Sequence, residues 1–596
     1  MSESPQLDQK GLRGSVPGFI AVHRDEPEID GVLGLHEGVT TLVNGATKLA
    51  WWGLESLNPS SPTLALSRVR RSEHGEVLPA EIVDGMRDDP SSLSRLLPPF
   101  AAVRGDQQGV TMVADSMGFR QLFHSTPGAR GAAVLSTSAL SVGWIRGAEL
   151  DPTAVAVQSC LGWQFGQRTL FRGVDKLIPG AVAHLSAGGV RVQAVDQEVL
   201  AEISLDEAVS KAAAILRASL EALLDDCPEA VLQLTGGQDS RLLLSAIPIS
   251  RRRGLRAMTL GVPRGGDVVV AGRISERYGI RHEVHGLAAL DGLRAAEAWD
   301  LAWDAAIRLD GMSDPIALAA LTVAESSFDQ GVRISGLGGE IARGFYYVGA
   351  VRDRGFTRKD AEHLAAWRMF VNEAVEPGLL EPEFSAWARQ TADDEVSSAM
   401  ADAGPEWYRA TDELYLRHRM QRWAGVTDTA VGYQRIVINP MLDAGFLSIA
   451  SALSPQDKAH SLFLARLQME LDPELGRMPL EGRGAPIAAA YPSTWRSMIG
   501  AVGTGRRLAQ KAAQRLQRGN RPPAGGSVLA AKVVGHWREH PELLSLAGLS
   551  PFVRTGWIDG VLDGRINPRP SSVAFLTNLI VASTSRVPRR DRAEAF

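Results

Sequence analysis

Six consecutive residues with small or polar side chains stand where a strand-like pattern changes to a helical one: Thr235, Gly236, Gly237, Gln238, Asp239 and Ser240. The two glycines allow a tight turn and a close approach of ligand to backbone. Amides at the start of a helix, together with the helix dipole, favour an anion. Asp239 would repel a bare phosphate, so the predicted ligand is a Mg²⁺-bound pyrophosphate. The alternative is an ordinary strand–turn–helix connection with an Asp or Ser N-cap.

A second segment of the same kind occupies residues 331–347. It runs from a strand-like stretch through Ser335-Gly336-Leu337-Gly338-Gly339 to Glu340 and a helical stretch. The alternative here is a structural glycine turn at a helix start. Neither segment continues as Gly-Lys-Ser/Thr, so transfer of a γ-phosphate is not expected.

The elements around the first loop alternate between strand and helix. Strand-like stretches at 230–234, 255–260 and 281–285 are separated by helical patterns at 241–246 and 268–278, and a helical pattern at 203–224 precedes them. This alternation predicts a doubly wound parallel sheet. Residues 1–200 are strand-rich, with short apolar stretches at 109–114 and 133–136, and the chain from about 310 onward is mostly helical.

One basic stretch lies at 501–530, where a helix followed by a flexible loop is predicted. Its cations share one helical face: Arg506, Arg507, Lys511, Arg515 and Arg518. Most such faces are simply solvated. The functional alternative is that this face binds an acidic peptide or partner protein.

Composition restricts the class of protein. The 596 residues have a net charge of −5, with 45% hydrophobic and 22% charged residues, which is typical of a soluble protein of several domains. This balance argues against a surface devoted to nucleic acid. Two cysteines do not make a disulfide scaffold, and neither a signal peptide nor a membrane span is evident, so a cytoplasmic protein with no membrane or nucleic-acid partner is expected.

Both loops resemble signatures of the asparagine-synthetase superfamily, the N-type ATP pyrophosphatases. Residues 235–240 fit S/T-G-G-x-D-S, and residues 335–346 are similar to S-G-x-G-(A/G)-D-E-x-x-x-G-Y, with Glu340 in place of Asp. The resemblance implies ATP and Mg²⁺ as cofactors, with Asp239 and Glu340 as catalytic carboxylates and metal ligands. It also implies a nucleotide site made of Leu234, Thr235, Gly236, Gly237, Asp239, Ser240, Leu260 and Gly338.

Other segments extend the resemblance. Residues 439–443 match the family's P-F-L-D, which is expected to be an architectural contact, and Asp267 is either a family acidic residue or a helix N-cap. Residues 113–122, 135–140 and 170–180 are similar to glutaminase-domain segments. The implied fold is α/β: an N-terminal Ntn-hydrolase-like αββα sandwich at 1–200, a degenerate glutaminase, followed by a synthetase domain at 201–596 with a doubly wound parallel sheet and a helical C-terminal part.

Departures from the family narrow the predicted chemistry. Asparagine synthetases use an N-terminal Cys as nucleophile, but Met1 and Ser2 begin this chain, and Cys160 and Cys227 are internal. The amine must then arrive directly, as in β-lactam synthetases and lasso-peptide macrolactam cyclases. Leu337 and Ile436 stand where the catalytic residues of such relatives are expected.

A late family lysine that stabilises pyrophosphate is also missing. Arg483 is predicted as its catalytic substitute, with Arg477 as the alternative.

The resemblance therefore implies an AMP-forming carbon–nitrogen ligase acting through an acyl-adenylate, best matched to a macrolactam (lasso) peptide cyclase. Alternatives are an asparagine-synthetase-like amidotransferase of another biosynthetic pathway and a non-catalytic nucleotide-binding protein on the same scaffold. The expected partner is a peptide or small molecule carrying a carboxylate and an amine. A leader peptidase or a precursor-recognition protein would accompany a peptide substrate.

Overall fold

A computed structural model describes residues 16–584 apart from 27, 68, 72–74, 127–130, 196–201, 262–263, 327, 329–330, 348–350, 353, 433–434, 493–524 and 546–548. Ser2 and the basic face at 506–518 lie outside the described residues. At the end of the basic stretch, residues 526–530 begin a helix rather than the predicted loop.

The first part of the chain forms antiparallel sheets. Its strands are β1 (Gly18–His23), β2 (Thr40–Asn44), β3 (Thr47–Trp52), β4 (Thr63–Leu66), β5 (Arg70–Arg71), β6 (Gly75–Glu76), β7 (Ala101–Asp106), β8 (Gly109–Ala114), β9 (Phe123–Ser125), β10 (Val134–Ser136), β11 (Val174–Lys176), β12 (Val182–Ser186) and β13 (Gly189–Gln193). One sheet has the order β11-β9-β10-β1-β3-β2 and another β13-β12-β8-β7-β4, while β5 and β6 form a small ribbon. The predicted strands at 109–114 and 133–136 are confirmed, the second as β10.

Alternation of side chains explains how the two large sheets pack. Along β1, Phe19 and Ala21 join a core shared with residues of the second sheet, such as Val103. Ile20, on the opposite face, joins a core that includes residues of outer helices. Since successive residues of a strand point to opposite faces of the sheet, one apolar strand contributes side chains to two core layers.

Helices cover the outer faces of this sandwich. In the helix Pro79–Asp88, Ile82 and Met86 pack with Val113 of the second sheet. On the first sheet, residues of Ala139–Ile145 and Pro152–Leu161 share a core with Ile20. The result is an α/β arrangement with helices outside two facing antiparallel sheets.

The remaining strands form one parallel sheet. They are β14 (Val231–Gln233), β15 (Arg256–Leu260), β16 (Arg281–His285), β17 (Val332–Ile334) and β18 (Ile436–Ile438), in the order β16-β15-β14-β17-β18. All four pairings are parallel. The chain therefore winds outward in both directions from central β14, and in such sheets ligands bind at the carboxyl edge where the order reverses. The predicted parallel sheet is confirmed, with β18 as an unanticipated fifth strand.

Helices make up most of the second half, as predicted. The α-helices in chain order are α1 (Ile29–Leu33), α2 (Pro79–Asp88), α3 (Ala139–Ile145), α4 (Pro152–Leu161), α5 (Leu205–Asp226), α6 (Gln238–Ala246), α7 (Ile249–Arg252), α8 (Gly266–Tyr278), α9 (Ala295–Arg308), α10 (Pro315–Glu325), α11 (Arg358–Leu364), α12 (Pro382–Asp402), α13 (Trp407–Leu414), α14 (Gly425–Val431), α15 (Ala444–Ala452), α16 (Pro455–Lys458), α17 (Leu462–Leu471), α18 (Pro473–Arg477), α19 (Pro486–Ala490), α20 (Gly526–Glu539), α21 (Thr555–Leu562) and α22 (Pro570–Ser583). Short 3₁₀ turns occupy Pro90–Arg95, Ala288–Gly292, Gly339–Arg343, Pro440–Leu442, Ala459–Ser461 and Pro541–Leu544. Two segments are π-helical, Ala365–Met369 and Tyr415–Ala424.

Apolar packing continues across residue 200. Ile20 of β1 belongs to the same core cluster as Trp299 of α9 and Trp537 of α20. Helices of the second half thus pack with the first antiparallel sheet. The boundary between domains at 1–200 and 201–596 remains a prediction. Among the described helices, none is both long and apolar enough to cross a bilayer.

Candidate functional site

The loop between β14 and α6 is closed by its own hydroxyls. The Thr235 amide donates to Ser240 Oγ at 3.1 Å, and the Gly237 amide donates to Thr235 Oγ1 at 3.2 Å. The two hydroxyl oxygens lie 3.1 Å apart. The N-cap of α6 is Gly237, with no side-chain cap, so the alternative that an Asp or Ser caps this helix is wrong. Asp239 and Ser240 instead lie in the first turn, where helix amides favour an anion.

The second loop follows β17 and lies against the first. A Cβ on Gly336 would lie 2.8 Å from the Ser240 amide nitrogen, and one on Gly339 would lie 2.4 Å from Asp239 Oδ1. Gly338 has a φ of +105°, in the left-handed region that favours glycine. The glycines are therefore required at these positions because the backbone of one loop touches the other.

The two predicted carboxylates meet at one arginine. Arg343 Nη2 lies 3.4 Å from Asp239 Oδ2 and 3.0 Å from Glu340 Oε1. The other two oxygens, Asp239 Oδ1 and Glu340 Oε2, are buried without a hydrogen-bond partner. Arg343 was not identified in the sequence analysis, although its spacing of three residues from Glu340 is typical of an ion pair on a helix.

These oxygens fit a hard divalent cation. Burial raises the pKa of Asp239 to about 7, Arg343 and Arg483 oppose the rise, and Glu340 adds to it. A buried carboxylate oxygen without a donor costs free energy, and a Mg²⁺ ion accepts such oxygens as ligands. Asp239 and Glu340 could therefore hold the predicted metal, because their unpartnered oxygens and their charge suit it.

Asp267 positions the first loop. Its Oδ1 accepts a hydrogen bond of 2.8 Å from the Gly236 amide. The N-cap of α8 is Gly265, so the alternative that Asp267 caps this helix is wrong. Asp267 fixes the turn at its first glycine.

The segment after α18 covers the same loop. The Glu481 amide donates to the Gly236 carbonyl at 2.9 Å. Arg241, fully buried in α6, donates to the carbonyls of Met478 at 2.5 Å and Pro479 at 2.9 Å. The buried guanidinium of Arg241 thus fixes the chain that leads to Arg483. Sequence reasoning did not identify Arg241.

Arg483 is placed at the mouth of the site. It is exposed, and it lies close enough to Asp239 to lower the pKa of that carboxyl. Arg477 is exposed in the last turn of α18. The geometry therefore favours Arg483 over Arg477 as the cation for a bound anion.

The predicted nucleotide residues on the neighbouring strands lie beside the loop. The Leu234 amide donates to the Met258 carbonyl at 2.9 Å, and Thr259 Oγ1 donates to the Leu234 carbonyl at 2.6 Å. Leu260 is half-buried at the end of β15. These contacts hold the carboxyl ends of β14 and β15 in register at the edge where the nucleotide is predicted.

Aromatic rings and arginines form a wall beyond Arg343. Tyr415 stacks on Phe345 with ring centroids 4.4 Å apart, and the guanidinium groups of Arg368 and Arg419 lie 5.5 and 5.7 Å from the Phe345 centroid. Tyr415 is coupled electrostatically to Glu340, and its phenol pKa is raised, chiefly by burial. Arg368 and the Tyr415–Arg419 stretch lie in the two π-helical segments, and π-helical geometry is frequent at functional sites.

A buried ion pair adjoins this wall. Lys458 Nζ lies 2.6 Å from Asp412 Oδ2, which also accepts a 2.9 Å hydrogen bond from the Tyr347 hydroxyl. The turn Ala459–Ser461, directly after Lys458, packs against Gly339–Arg343. Asp412 and Lys458 carried no signal in the sequence, because nothing local links residues so far apart.

The positions that depart from the family hold apolar groups. Leu337 packs against the large core, and Ile436 pairs with Val332 in the sheet. In the P-F-L-D-like segment, Leu442 lies under Gly338, where a Cβ would approach its Cδ2 to 2.9 Å, and Asp443 caps α15. The architectural role expected for that segment is confirmed.

The thiol of Cys160 is not suited to act as a reactive thiolate. Cys160 is half-buried in α4, and burial raises its thiol pKa. Cys227 is the C-cap residue of α5. In the glutaminase-like segment, Asp115 is fully buried and accepts hydrogen bonds from the amides of Phe100, Met117, Phe119 and Arg120, so it organises a loop.

No family model and no curated protein matches this chain. Chains of solved structures do match, 26 in number. One is glutamine phosphoribosylpyrophosphate amidotransferase from B. subtilis complexed with ADP and GMP, at 9% identity and a TM-score of 0.20, covering 45% of this chain and 80% of that one. Another is an allosteric regulatory enzyme of purine biosynthesis, at 11% identity and a TM-score of 0.20, covering 46% of this chain and 60% of that one. At these TM-scores the similarities carry no argument about function.

Proposed function

We propose that this chain is an ATP-dependent carbon–nitrogen ligase of the asparagine-synthetase type that forms AMP and pyrophosphate. The observation that carries the proposal is the pair Asp239 and Glu340. They follow adjacent parallel strands at the carboxyl edge, share Arg343, and each keep one buried oxygen without a partner. Such an edge, where strand order reverses, is the usual ligand crevice of an open parallel sheet.

The proposed reaction has two steps. A substrate carboxylate attacks the α-phosphate of ATP, which gives an acyl-adenylate and pyrophosphate. An unprotonated amine then attacks the activated carbonyl, AMP leaves with the electron pair of the broken C–O bond, and the proton lost from nitrogen passes to solvent. Bound Mg²⁺ would neutralise charge on the pyrophosphate.

The chain's own groups serve both steps. The first turn of α6 orients the phosphates, and Arg483 contributes positive charge at the mouth. Leu337 and Ile436 provide no general base. The second step is therefore promoted by holding the free amine close to the activated carbonyl.

The substrate class proposed is a peptide with a free amine and a side-chain carboxylate that become joined in a macrolactam. Arginines beside aromatic rings suit a carboxylate-bearing peptide, since guanidinium binds carboxylates and rings accept apolar surface. Within the same proposal, the N-terminal sandwich is a glutaminase-like domain. An amidotransferase acting on another acyl acceptor is the closest alternative chemistry.

The test is ATP–pyrophosphate exchange by the full-length protein. The panel contains linear peptides with a free N-terminal amine and an internal Asp or Glu, the same peptides acetylated at the N-terminus, and single amino acids. We expect ATP–pyrophosphate exchange with both forms of the peptide. We expect cyclisation with release of AMP only with the peptides that have a free N-terminal amine. Glutamine should release no glutamate. Exchange only with single amino acids would favour the amidotransferase alternative.

A second candidate, a non-catalytic nucleotide-binding protein, is favoured by one observation: Arg343 already supplies a cation to both carboxylates. If Arg343 replaces the metal permanently, ATP should bind equally well with and without Mg²⁺, and no substrate should give exchange. If the ligase proposal is right, chelating Mg²⁺ should abolish exchange and weaken ATP binding.

A further inference from the structure

The last turn of α20 and the residue that follows it bring together three side chains that the proposed reaction does not use. His536, Glu539 and His540 each offer a ligand atom, and these atoms all lie within 4.8 Å of one another. The histidines are four residues apart, so a helical turn places them on one face. Two imidazoles and a carboxylate form the donor set typical of zinc sites that keep an open position.

Packing holds one of these ligands firmly. α20 packs along α9, and the ring of His536 is buried and stacks near Trp299, with centroids 5.7 Å apart. The His540 ring lies 4.4 Å from that of His536, centroid to centroid. His540 is half-buried and Glu539 is exposed, so an ion can reach the cluster from solvent.

A neighbouring carboxylate suits the orientation of a histidine ligand. Glu542 Oε1 lies 3.3 Å from His540 Nδ1. Metal-binding histidines commonly place their second ring nitrogen against a carboxylate, which fixes the ring and raises its basicity as a ligand. Glu542 would serve this role for His540 with Nε2 facing the metal.

We propose that His536, Glu539 and His540 form a binding site for a zinc-class divalent cation, separate from the proposed ATP site. Bonds of zinc length in a tetrahedron place ligand atoms about 3.4 Å apart, so small side-chain rotations complete the site. Two nitrogen ligands select zinc-class ions over Mg²⁺, which prefers oxygen. The remaining coordination position is open to water or to a ligand from outside.

The site has a consequence for stability. Its ligands come from the last turn of α20 and from His540, directly after the helix, so a bound ion fixes the end of α20 on α9. Since the ligands converge only in the folded chain, zinc should raise the melting temperature by roughly 1–3 °C at concentrations well above its Kd.

The test uses full-length protein with any affinity tag removed and with metals stripped by chelation. Co²⁺ is titrated as a spectroscopic probe, and Zn²⁺ is added in thermal melts. With excess Mg²⁺ present throughout to fill the proposed ATP site, the expected result is one Co²⁺ site that Zn²⁺ displaces. His540→Ala and Glu539→Gln should each weaken Co²⁺ binding at least tenfold, while His363→Ala, at an exposed histidine of α11, should leave it unchanged.

Two outcomes would overturn the site: wild-type protein that binds no Co²⁺, or His540→Ala and Glu539→Gln variants that bind it as tightly as wild type. His536 is left unchanged because its burial against Trp299 makes its loss a folding defect. Circular dichroism and the apo melting temperature check that the variants fold. The ATP-dependent exchange assay reads out a different site, so its failure would not affect this result.

Discussion

Asp239 and Glu340 each have one buried carboxylate oxygen without a hydrogen-bond donor. Arg343 compensates part of their charge but reaches only one oxygen of each carboxylate. A cation bound to the two remaining oxygens would offset the cost of leaving them unpaired. We therefore expect the proposed chemistry to depend on charge at these two side chains.

Neutralising either carboxylate should remove activity and leave the fold intact. Asp239→Asn and Glu340→Gln preserve shape but remove an ionised oxygen from the proposed metal site, so adenylation should fall by orders of magnitude, with melting temperatures near wild type. Raised Mg²⁺ should partly rescue Glu340→Gln, because the lost interaction is metal affinity. ATP–pyrophosphate exchange across a Mg²⁺ series measures both effects.

Glu474→Gln is the matched control for these variants. Glu474 forms an exposed pair with Arg277 at 2.6 Å, away from the carboxylate pair, and should leave exchange unchanged. Full exchange by Asp239→Asn at ordinary Mg²⁺ would rule out its assignment as a metal ligand.

At the scale of elements, the two loops work as one surface because they lie in close contact. Gly339→Ala would place a methyl group 2.4 Å from Asp239 Oδ1, so that carboxylate must move. We expect exchange activity to be lost and the melting temperature to drop. Gly272→Ala is the control, since a Cβ there meets nothing within 4 Å in the interior of α8 and should stabilise by about 0.5–1 kcal/mol. Equal activity in both variants would show that the loops do not need this contact.

The ion pair of Lys458 with Asp412 joins α16 to α13 beside the site. The Lys458 side chain is 4% exposed and that of Asp412 is 16% exposed. Lys458→Met would leave a buried carboxylate unpaired and should cost about 3–5 kcal/mol in unfolding free energy. Lys211→Met, which breaks an exposed pair with Glu207, should cost about 0.5 kcal/mol or less. Denaturant unfolding of the two variants compares these costs, and similar values would contradict the structural role.

The sequence predicted what local pattern can encode. The glycines and Asp239 lie within one strand–turn–helix unit, so their arrangement follows from adjacent residues, and the parallel sheet follows from alternating periods. Arg343 was within reach of the same reasoning through its spacing from Glu340. Arg241, Asp412 and Lys458 were not, because each acts on a distant part of the chain that only tertiary packing brings near.

The function of Asp267 illustrates the same limit. Its position near a helix start allowed either a cap or a functional residue, and the structure gives it a third role, holding the Gly236 amide of another loop. Residue type and spacing restricted the options, but the partner depended on how α8 packs beside β14. The π-helical segments likewise have no pattern that marks them before the chain is folded.

At the scale of the whole molecule, polar side chains link the antiparallel sandwich to the later helices. The backbone N–H of Gln121 donates to Thr429 Oγ1. Asp310, just after α9, accepts from Ser138 Oγ at 2.6 Å and from the backbone N–H of Leu140 at 3.1 Å. These bonds cross between parts of the chain on either side of residue 200, where apolar packing is continuous too. The two parts should therefore unfold together, and a group that titrates at the junction should influence the stability of both.

Asp310 provides a pH test of that coupling. Burial raises its pKa to about 7, against the opposing hydrogen bonds from Ser138 and Leu140, while an unfolded Asp titrates near 3.9. Because the folded pKa is raised, the stability that this group contributes is present below about pH 4 and is lost as pH rises through 7, by at most about 1.4 kcal/mol per pH unit.

Asp310→Asn should remove this pH dependence. Both hydrogen bonds go to Oδ1, so the Asn carbonyl can accept them, and Asn tolerates the φ of +50° at this position. Relative to wild type, the variant should therefore gain stability between pH 5 and pH 8. Denaturant unfolding at both pH values measures the change, with Asp225→Asn, at an exposed partner of Arg251, as the control. If wild type and Asp310→Asn lose stability in parallel over this range, Asp310 does not titrate at the junction. If the sandwich alone responds, the two parts of the chain unfold independently.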